Sequence, residues 1–597
     1  MNSQDLELLE YLKAGEPQKQ RDLADRSGLS LGRVNKAIRA LQEAGYADAE
    51  NRLTPKAAKM LAARKPARAV ILAAGFGLRM IPINREVPKA LLEVRGEILI
   101  ERQIRQLKEA GIEDISVVTG FMKERFEYLI DEFGVELIVN PDYISANNLH
   151  SLVKAAGKLE NCYIVPCDLY AEENPFRPQE TQSWYMMADR EDAESSMRVN
   201  RTREIVYCRK QEAGQAMIGI AYITAGDAAG LRAVLNEKAA DAKYRDSFWE
   251  EILLQGDRFS IPARLVPGDA VIEINTYEQL REIDSGSDHL KNDTLDIIAG
   301  ALKAETKEIT GITLLKKGMT NRSFLFACRG KKYIMRIPGE GTDQLIDRKQ
   351  EAASYNAIRE KDLCDRIVYL NPENGYKITE FMEGARVCDP ENPEDVRKCM
   401  AYLRKFHDMG LQVEHTFDIF GQTLFYESLW EGNPSVFRDY EETKKRVTAL
   451  RPFLEKYSRK RCLTHIDAVP DNFVFCPEGE GERILLIDWE YSGMQDPDVD
   501  IAMFAIYSLY DRKQADALID AYYPEGCAEA IRYKIYGYMA ACGLLWSNWC
   551  EFKRFQGVEF GEYALRQYRY AKEYERLVRG WLAGQEPEDR EEASCSR

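Results

Sequence analysis

Two segments near the C-terminal end constrain this chain more than any other feature: THIDAVPDNFVF (464–475) and RILLIDWEYSG (483–493). The first carries His465, Asp467 and Asn472 as H-x-D-x-x-x-x-N. The second places Asp488 at the end of an apolar strand, sixteen residues beyond Asn472. Phosphoryl transfer needs a carboxylate to orient or deprotonate the accepting hydroxyl, and oxygen ligands to hold Mg²⁺ against the β- and γ-phosphates. Asp467 fits the first role; Asn472 and Asp488 fit the second. Upstream, KKGMTNRSFLFACRGKKYIMRIPG (316–339) reads as a β-hairpin lid over phosphates, with Gly318, Asn321 and Ser323 at its turn. Arg336 lies on the next strand and Glu351 on the helix RKQEAASYNAIRE that follows.

A second chemical signal begins at residue 69, AVILAAGFGLRMIPINREVPKALLEV. The apolar run has the character of a buried parallel strand ending on Leu72-Ala73-Ala74 and then Gly75-Phe76-Gly77. Glycines there let backbone N–H groups close on phosphate oxygens, because no Cβ intervenes. Arg79 and Lys89 add positive charge. The alternation that follows (helix ILIERQIRQLKEAG, strand ISVVTG, helix KERFEYLIDEFG, strand VELIVN) predicts a doubly wound α/β sheet. The order L-A-A-G-x-G-x-R then P-K-A-L resembles the nucleotidyltransferases that activate sugar phosphates and phosphocholine. The resemblance implies that Leu72, Ala73, Ala74, Gly75, Gly77 and Arg79 cradle a nucleotide and that Lys89 neutralises charge at the α-phosphate. It also implies metal ligands at Asp168, after the strand YIVP, and at Asn275 in VIEINTYEQL, where the commoner family residue is Asp. Glu273 is the alternative at that second place. The stretch NPDYISANNLHSL (140–152) is similar to bacterial CTP:phosphocholine cytidylyltransferases. A trimethylammonium group is held by aromatic faces with an acidic neighbour. Trp184, Tyr185, Tyr222 and Trp249 with Glu250 are available, and Trp184 and Tyr222 are the expected pair.

Charge divides the chain unevenly. The net charge is −16, yet residues 1–66 hold twelve Lys/Arg against nine Asp/Glu. Leu6, Leu8, Leu9 and Leu12 suggest a first helix. A second helix, a turn at Gly28 and a third helix capped by Ser30 follow, with Val34, Ile38 and Leu41 facing a core. Arg33, Asn35, Lys36 and Arg39 stay off that face, and ADAENRLTPKA is suited to a wing. This pattern resembles the winged helix-turn-helix regulators, which implies DNA as a partner. The acidic remainder argues against wholesale nucleic-acid coating. Thirteen scattered cysteines fit reduced thiols in a cytoplasmic chain, and no run approaches the ~20 apolar residues of a membrane span.

The C-terminal motifs together resemble the choline kinase and aminoglycoside phosphotransferase superfamily over about residues 300–585. The resemblance implies that Arg336 reaches the phosphates and pairs with Glu351, and TEFMEG (379–384), with Glu380, resembles the hinge whose backbone reads adenine. LLWSNW places Trp546 and Trp549 on one helical face and FGEYALRQY supplies Tyr563; these, with Tyr491, would box a quaternary ammonium. The expectation is a multidomain α/β and α+β protein: a winged helix over 1–64, a nucleotidyltransferase over 67–288, a bilobal kinase-like domain over 292–587 and a disordered tail over 588–597. One domain would phosphorylate choline with ATP and the other would couple phosphocholine to CTP, both with Mg²⁺, giving CDP-choline. Ethanolamine or a sugar phosphate as substrate, or a metabolite-sensing regulator, are the alternatives; the oligomeric state is open.

Overall fold

The computed structural model describes residues 3–594 apart from 13–15, 28, 78–79, 84–86, 144–145, 194, 201, 209–211, 255–260, 316–320, 340–344, 480 and 556–559. The chain divides into two compact units, Met1–Asp296 and Ile297–Arg597.

In the first unit, α1 (Gln20–Ser27) and α2 (Leu31–Glu43) form the helix-turn-helix. The Ser30 side chain accepts the Arg33 N–H as the N-cap of α2, while Val34, Ile38 and Leu41 bury against Leu8, Leu9, Leu12 and Leu23. An antiparallel bridge between Ala47 and Leu53 forms the wing. The expected turn residue Gly28 lies outside the described residues.

Packing continues across Pro66 from the winged helix onto the sheet domain. Glu7 pairs with Arg203 at 3.2 Å, Glu10 pairs with Arg177, and Asn161 Nδ2 donates to the Ala63 carbonyl at 3.0 Å. The Arg64 guanidinium also donates to the Thr181 carbonyl. Beneath Glu10 lies Arg264, bound by Glu180 at 2.5 and 2.8 Å and stacked 3.9 Å over the Trp184 ring. Burial pushes the Glu10 carboxyl up from 4.5 to about 7, outweighing Arg177 and Arg264, with Glu180 and Glu7 adding repulsion. An acid raised on folding stabilises the packed form while protonated, so this contribution is lost as pH climbs from 4.5 through about 7. Glu10→Gln, which fixes the neutral form, is therefore expected to stabilise the unit at pH 8 by up to about 3 kcal/mol, and to change little at pH 5. Thermal unfolding at the two pH values checks it; a lower midpoint at pH 8 would show that the Arg177 pair outweighs the burial.

The sheet of this unit uses β1 (Arg68–Ala73), β2 (Asp114–Thr119), β3 (Glu136–Val139), β4 (Cys162–Pro166), β5 (Trp184–Asp192), β6 (Gly214–Ile223) and β7 (Ala263–Pro267), in the spatial order β7-β5-β6-β4-β1-β2-β3. β1 pairs in parallel with β2 and β4, and β6 runs antiparallel to β4 and β5. Both faces of β1 are covered: Ala69, Ile71 and Ala73 pack into one core, Val70, Leu72 and Ala74 into the other. That is why the strand reads as an unbroken apolar run. The glycine loop and Asp168 both follow the carboxyl ends of central strands, where open α/β sheets place their ligands.

The second unit begins with a five-stranded antiparallel sheet, β8 (Ile309–Leu314), β9 (Asn321–Cys328), β10 (Lys331–Pro338), β11 (Ile367–Leu370) and β12 (Lys377–Glu380), ordered β8-β9-β10-β12-β11. Helix α3 (Arg348–Ile358) joins β10 to β11. A helical lobe follows, including α4 (Asp498–Tyr507), α5 (Glu529–Phe555) and α6 (Glu562–Ser594). α6 corrects one expectation: backbone over 588–594 is helical. Among the described residues no helix is long and apolar enough to cross a membrane.

Two candidate active sites

In the first unit, Gly77 takes a left-handed backbone (φ +58°), and a Cβ there would stand 3.2 Å from Lys89 Cβ. The loop can therefore lie close against the lysine only with glycine at this place. Lys89 Nζ donates to Asn275 Oδ1 at 2.6 Å and to the Asp168 carboxylate. Residues 79 positions apart and 186 positions apart are so brought to one ammonium. The second oxygen of Asp168 is buried with no hydrogen-bond partner, which fits a site completed by a cation. Arg79 lies outside the described residues.

Trp184 and Tyr222 are not at this site. Tyr222 pairs in register with Tyr163 and Trp184 at the amino end of β4, whereas Asp168 follows the carboxyl end. Their polar groups are engaged there: Trp184 Nε1 donates to Glu180 at 2.9 Å, and the Tyr222 hydroxyl donates to the Arg64 carbonyl. The opposite sheet face holds the other two candidates, Tyr185 edge-on to Trp249 at 5.8 Å, with Glu250 next in the chain. Burial pushes Glu250 up to about 7, aided by Glu273 and Asp168. Period-2 alternation explains the miss, since one step along β5 exchanges the faces.

In the second unit, one cavity of about 790 Å³ is lined by Asn321, Ser323, Arg336, Asp467, Asn472 and Asp488 and by the aromatic side chains of Tyr491, Tyr507, Trp546, Trp549 and Tyr563. Asn472 Nδ2 donates to Asp467 Oδ2 at 3.1 Å and to its carbonyl at 2.8 Å. Burial, with Asp488 and Glu490 alongside, pushes the Asp467 carboxyl up to about 8. Asp488 has a left-handed backbone, φ +66°. The loop is braced from below: Asp500 accepts the N–H groups of His465 (3.0 Å) and Ile466 (2.7 Å), and His465 Nε2 donates to the Ile487 carbonyl at 3.0 Å. Burial holds His465 down to about 4, so the imidazole is neutral and serves as a tether between the two motifs.

Arg336 donates to both oxygens of Glu351 and, at 2.9 Å, to the Gly375 carbonyl. Its Nη1 stands 3.7 Å from Asp488 Oδ1. Although burial acts to raise it, Glu351 is held down to about 2 by Arg336, with Lys377 and Arg348 assisting. Asn321 Nδ2 donates to Glu490 at 2.9 Å. Gly318 lies outside the described residues. Thr379 lines the cavity and Glu380 does not; the Glu380 carboxylate pairs with Arg366 at 3.3 Å. Tyr491 meets Trp546 edge-on at 5.5 Å, and Trp546 meets Trp549 at 5.7 Å. Tyr507, 6.0 Å from Tyr563, completes the aromatic wall and donates to Asp471 at 2.7 Å. It escaped the sequence reading because it sits in the apolar α4 with no local pattern to mark it.

Three family models match: winged helix-turn-helix DNA-binding over residues 1–47, MobA-like NTP transferase domain over 69–241, and choline/ethanolamine kinase over 312–524. The choline-phosphate cytidylyltransferase of Streptococcus pneumoniae is 31% identical over 223 residues, 36% of this chain and 96% of that protein. The chain belongs to the choline-phosphate cytidylyltransferase family. Protein LicA of Haemophilus influenzae is 27% identical over 265 residues, 42% of this chain and 96% of that protein. The 2-aminoethylphosphonate cytidylyltransferase of Lancefieldella rimae is 29% identical over 234 residues, 36% of this chain and 92% of that protein. The MobA-like NTP transferase match includes Lys89 and Asp168; the choline/ethanolamine kinase match includes Asp467, Asn472 and Asp488. These assignments do not favour a purely regulatory chain.

Proposed function

We propose that this member of the cytidylyltransferase family makes CDP-choline from choline in two steps on one chain. The observation that carries the reading is the single cavity in which Asp467, Asn472 and Asp488 share walls with the aromatic cluster. A quaternary ammonium offers no hydrogen to donate, so aromatic faces hold it, at about 0.5–2 kcal/mol per contact. That seats the choline hydroxyl toward Asp467, which accepts its proton as the oxygen attacks the γ-phosphorus of ATP and ADP leaves. Arg336, fixed by Glu351, adds positive charge beside Asp488.

In the first unit an oxygen of phosphocholine attacks the α-phosphorus of CTP and pyrophosphate leaves. Lys89 is the cation at hand for the developing charge. Tyr185, Trp249 and Glu250 supply an aromatic and acidic environment for the ammonium. Asn472 with Asp488, and Asp168 with Asn275, are the residues that would hold Mg²⁺, which supplies charge neutralisation at the phosphates when bound. Among the described residues no three His, Cys, Asp or Glu gather to hold a metal alone. Mg²⁺ suits such sparse sites, being held by one or two carboxylates plus substrate phosphates.

Two basic side chains of the winged helix are paired within it: Arg33 with Asp5 at 2.8 Å, and Arg52 with Asp48 and Glu50 at 2.8 and 2.9 Å. The docking of Glu7 and Glu10 supports a structural role for the module, and the winged helix-turn-helix match supports DNA as a partner.

Purified protein given choline, ATP, CTP and Mg²⁺ is expected to release pyrophosphate and form CDP-choline. Without ATP, release should stop until phosphocholine is added. Mass spectrometry of products from choline, ethanolamine and 2-aminoethylphosphonate decides the substrate; pyrophosphate formed without any of them overturns the coupling.

A further inference from the structure

β12 carries a buried lysine that neither step above uses. Lys377 pairs directly with Arg336 of β10 across the antiparallel ladder, so both side chains leave the same face of the sheet. It is 6% exposed and lines the cavity that contains Asp467 and Asp488. A buried ammonium is retained only where acceptors meet it. The acid nearest in kind, Glu351, is already engaged by Arg336 and by Arg348 at 2.9 Å. Lys377 Nζ instead donates to the Tyr355 hydroxyl at 2.6 Å.

Tyr355 lies one helical turn beyond Glu351 on α3. Its oxygen also accepts the N–H of Trp489, over 3.4 Å, and burial keeps the phenol neutral. Both lone pairs of that oxygen are thus used, one by Lys377 and one by the backbone immediately after Asp488. The turn so held is the left-handed one at Asp488, a conformation that costs a non-glycine residue free energy unless its surroundings enforce it.

We propose that Lys377 is a positioning residue for phosphoryl transfer, holding the Asp488–Trp489 backbone through the Tyr355 hydroxyl so that the Asp488 carboxylate keeps its aim at the divalent ion. The inference rests on the kinase reading of this cavity. It goes beyond that reading because Lys377 acts on Asp488 through two neighbours.

The test uses the full chain with Lys377→Met, which keeps the stem and removes the donor, and Tyr355→Phe, which keeps the ring and removes the acceptor. Mn²⁺ binding in the presence of ADP, followed by electron paramagnetic resonance, is expected to weaken about ten-fold in both variants. In turnover, kcat for choline should fall about ten-fold, and the Mg²⁺ concentration for half-maximal rate should rise by a similar factor. The KM for choline should stay within about two-fold, and Lys377→Arg should recover most of the metal dependence. Cytidylyl transfer from supplied phosphocholine reports that the rest of the chain is intact. Unchanged Mn²⁺ affinity in Tyr355→Phe overturns the proposal, and that variant decides alone if Lys377→Met does not fold. A wild-type chain that binds Mn²⁺·ADP but phosphorylates no amino alcohol sinks the kinase reading, while the Mn²⁺ titration still decides the positioning role.

Discussion

Asp467→Asn is expected to lower choline phosphorylation by roughly 10²–10⁴-fold, the usual worth of a positioned acid–base group, while leaving CDP-choline formation from supplied phosphocholine unchanged. The substitution keeps the size of the side chain but removes the atom that takes the hydroxyl proton. Its surroundings make the loss specific. Asn472 already donates to one Asp467 oxygen at 3.1 Å, and Asp488 and Glu490 press the carboxyl upward. An amide here relieves that repulsion, so the fold should gain slightly while chemistry is lost. Product formation by mass spectrometry with ATP and choline, beside a pyrophosphate assay with CTP and phosphocholine, separates the two activities. Equal loss in both assays would mean that Asp467 matters to folding instead.

Lys89→Met should do the reverse, lowering pyrophosphate release from CTP and phosphocholine by roughly 10²–10³-fold, as for removal of a preorganised charge at a developing oxyanion. The lysine bridges Asp168 and Asn275. Its removal leaves the Asp168 carboxylate without its cation. A second consequence is therefore expected, a steeper dependence of the residual rate on Mg²⁺. Choline phosphorylation by the same preparation should be unaffected. Retention of full cytidylyl transfer would move the α-phosphate cation elsewhere and undo the assignment.

Much of the candidate chemistry was legible because it is local in sequence. H-x-D-x-x-x-x-N fixes Asp467 and Asn472 on one short loop, and Asp488 ends the strand that this loop lies against. Gly75 and Gly77 follow a strand whose last five residues are buried. Arg336 and Glu351, fifteen residues apart, needed only a strand followed by a helix to meet. Aromatic recognition was legible where the Trp546 and Trp549 spacing coincides with the helix period, and illegible for Tyr507, which reaches the cavity from another helix.

What the sequence by itself determined is therefore the set of elements and the chemistry at their ends, since strand and helix periodicity and loop residues act over a few positions. The tertiary structure alone decided three things: that Trp184 packs under Arg264 while Tyr222 bonds the Arg64 carbonyl, that the winged helix packs on the sheet through Glu7 and Glu10, and that Lys377 lines the same cavity as Asp488. Each depends on which face of a sheet is turned to which neighbour across many tens of residues. Alternating side chains leave that choice open until long-range burial of charge and apolar surface settles it.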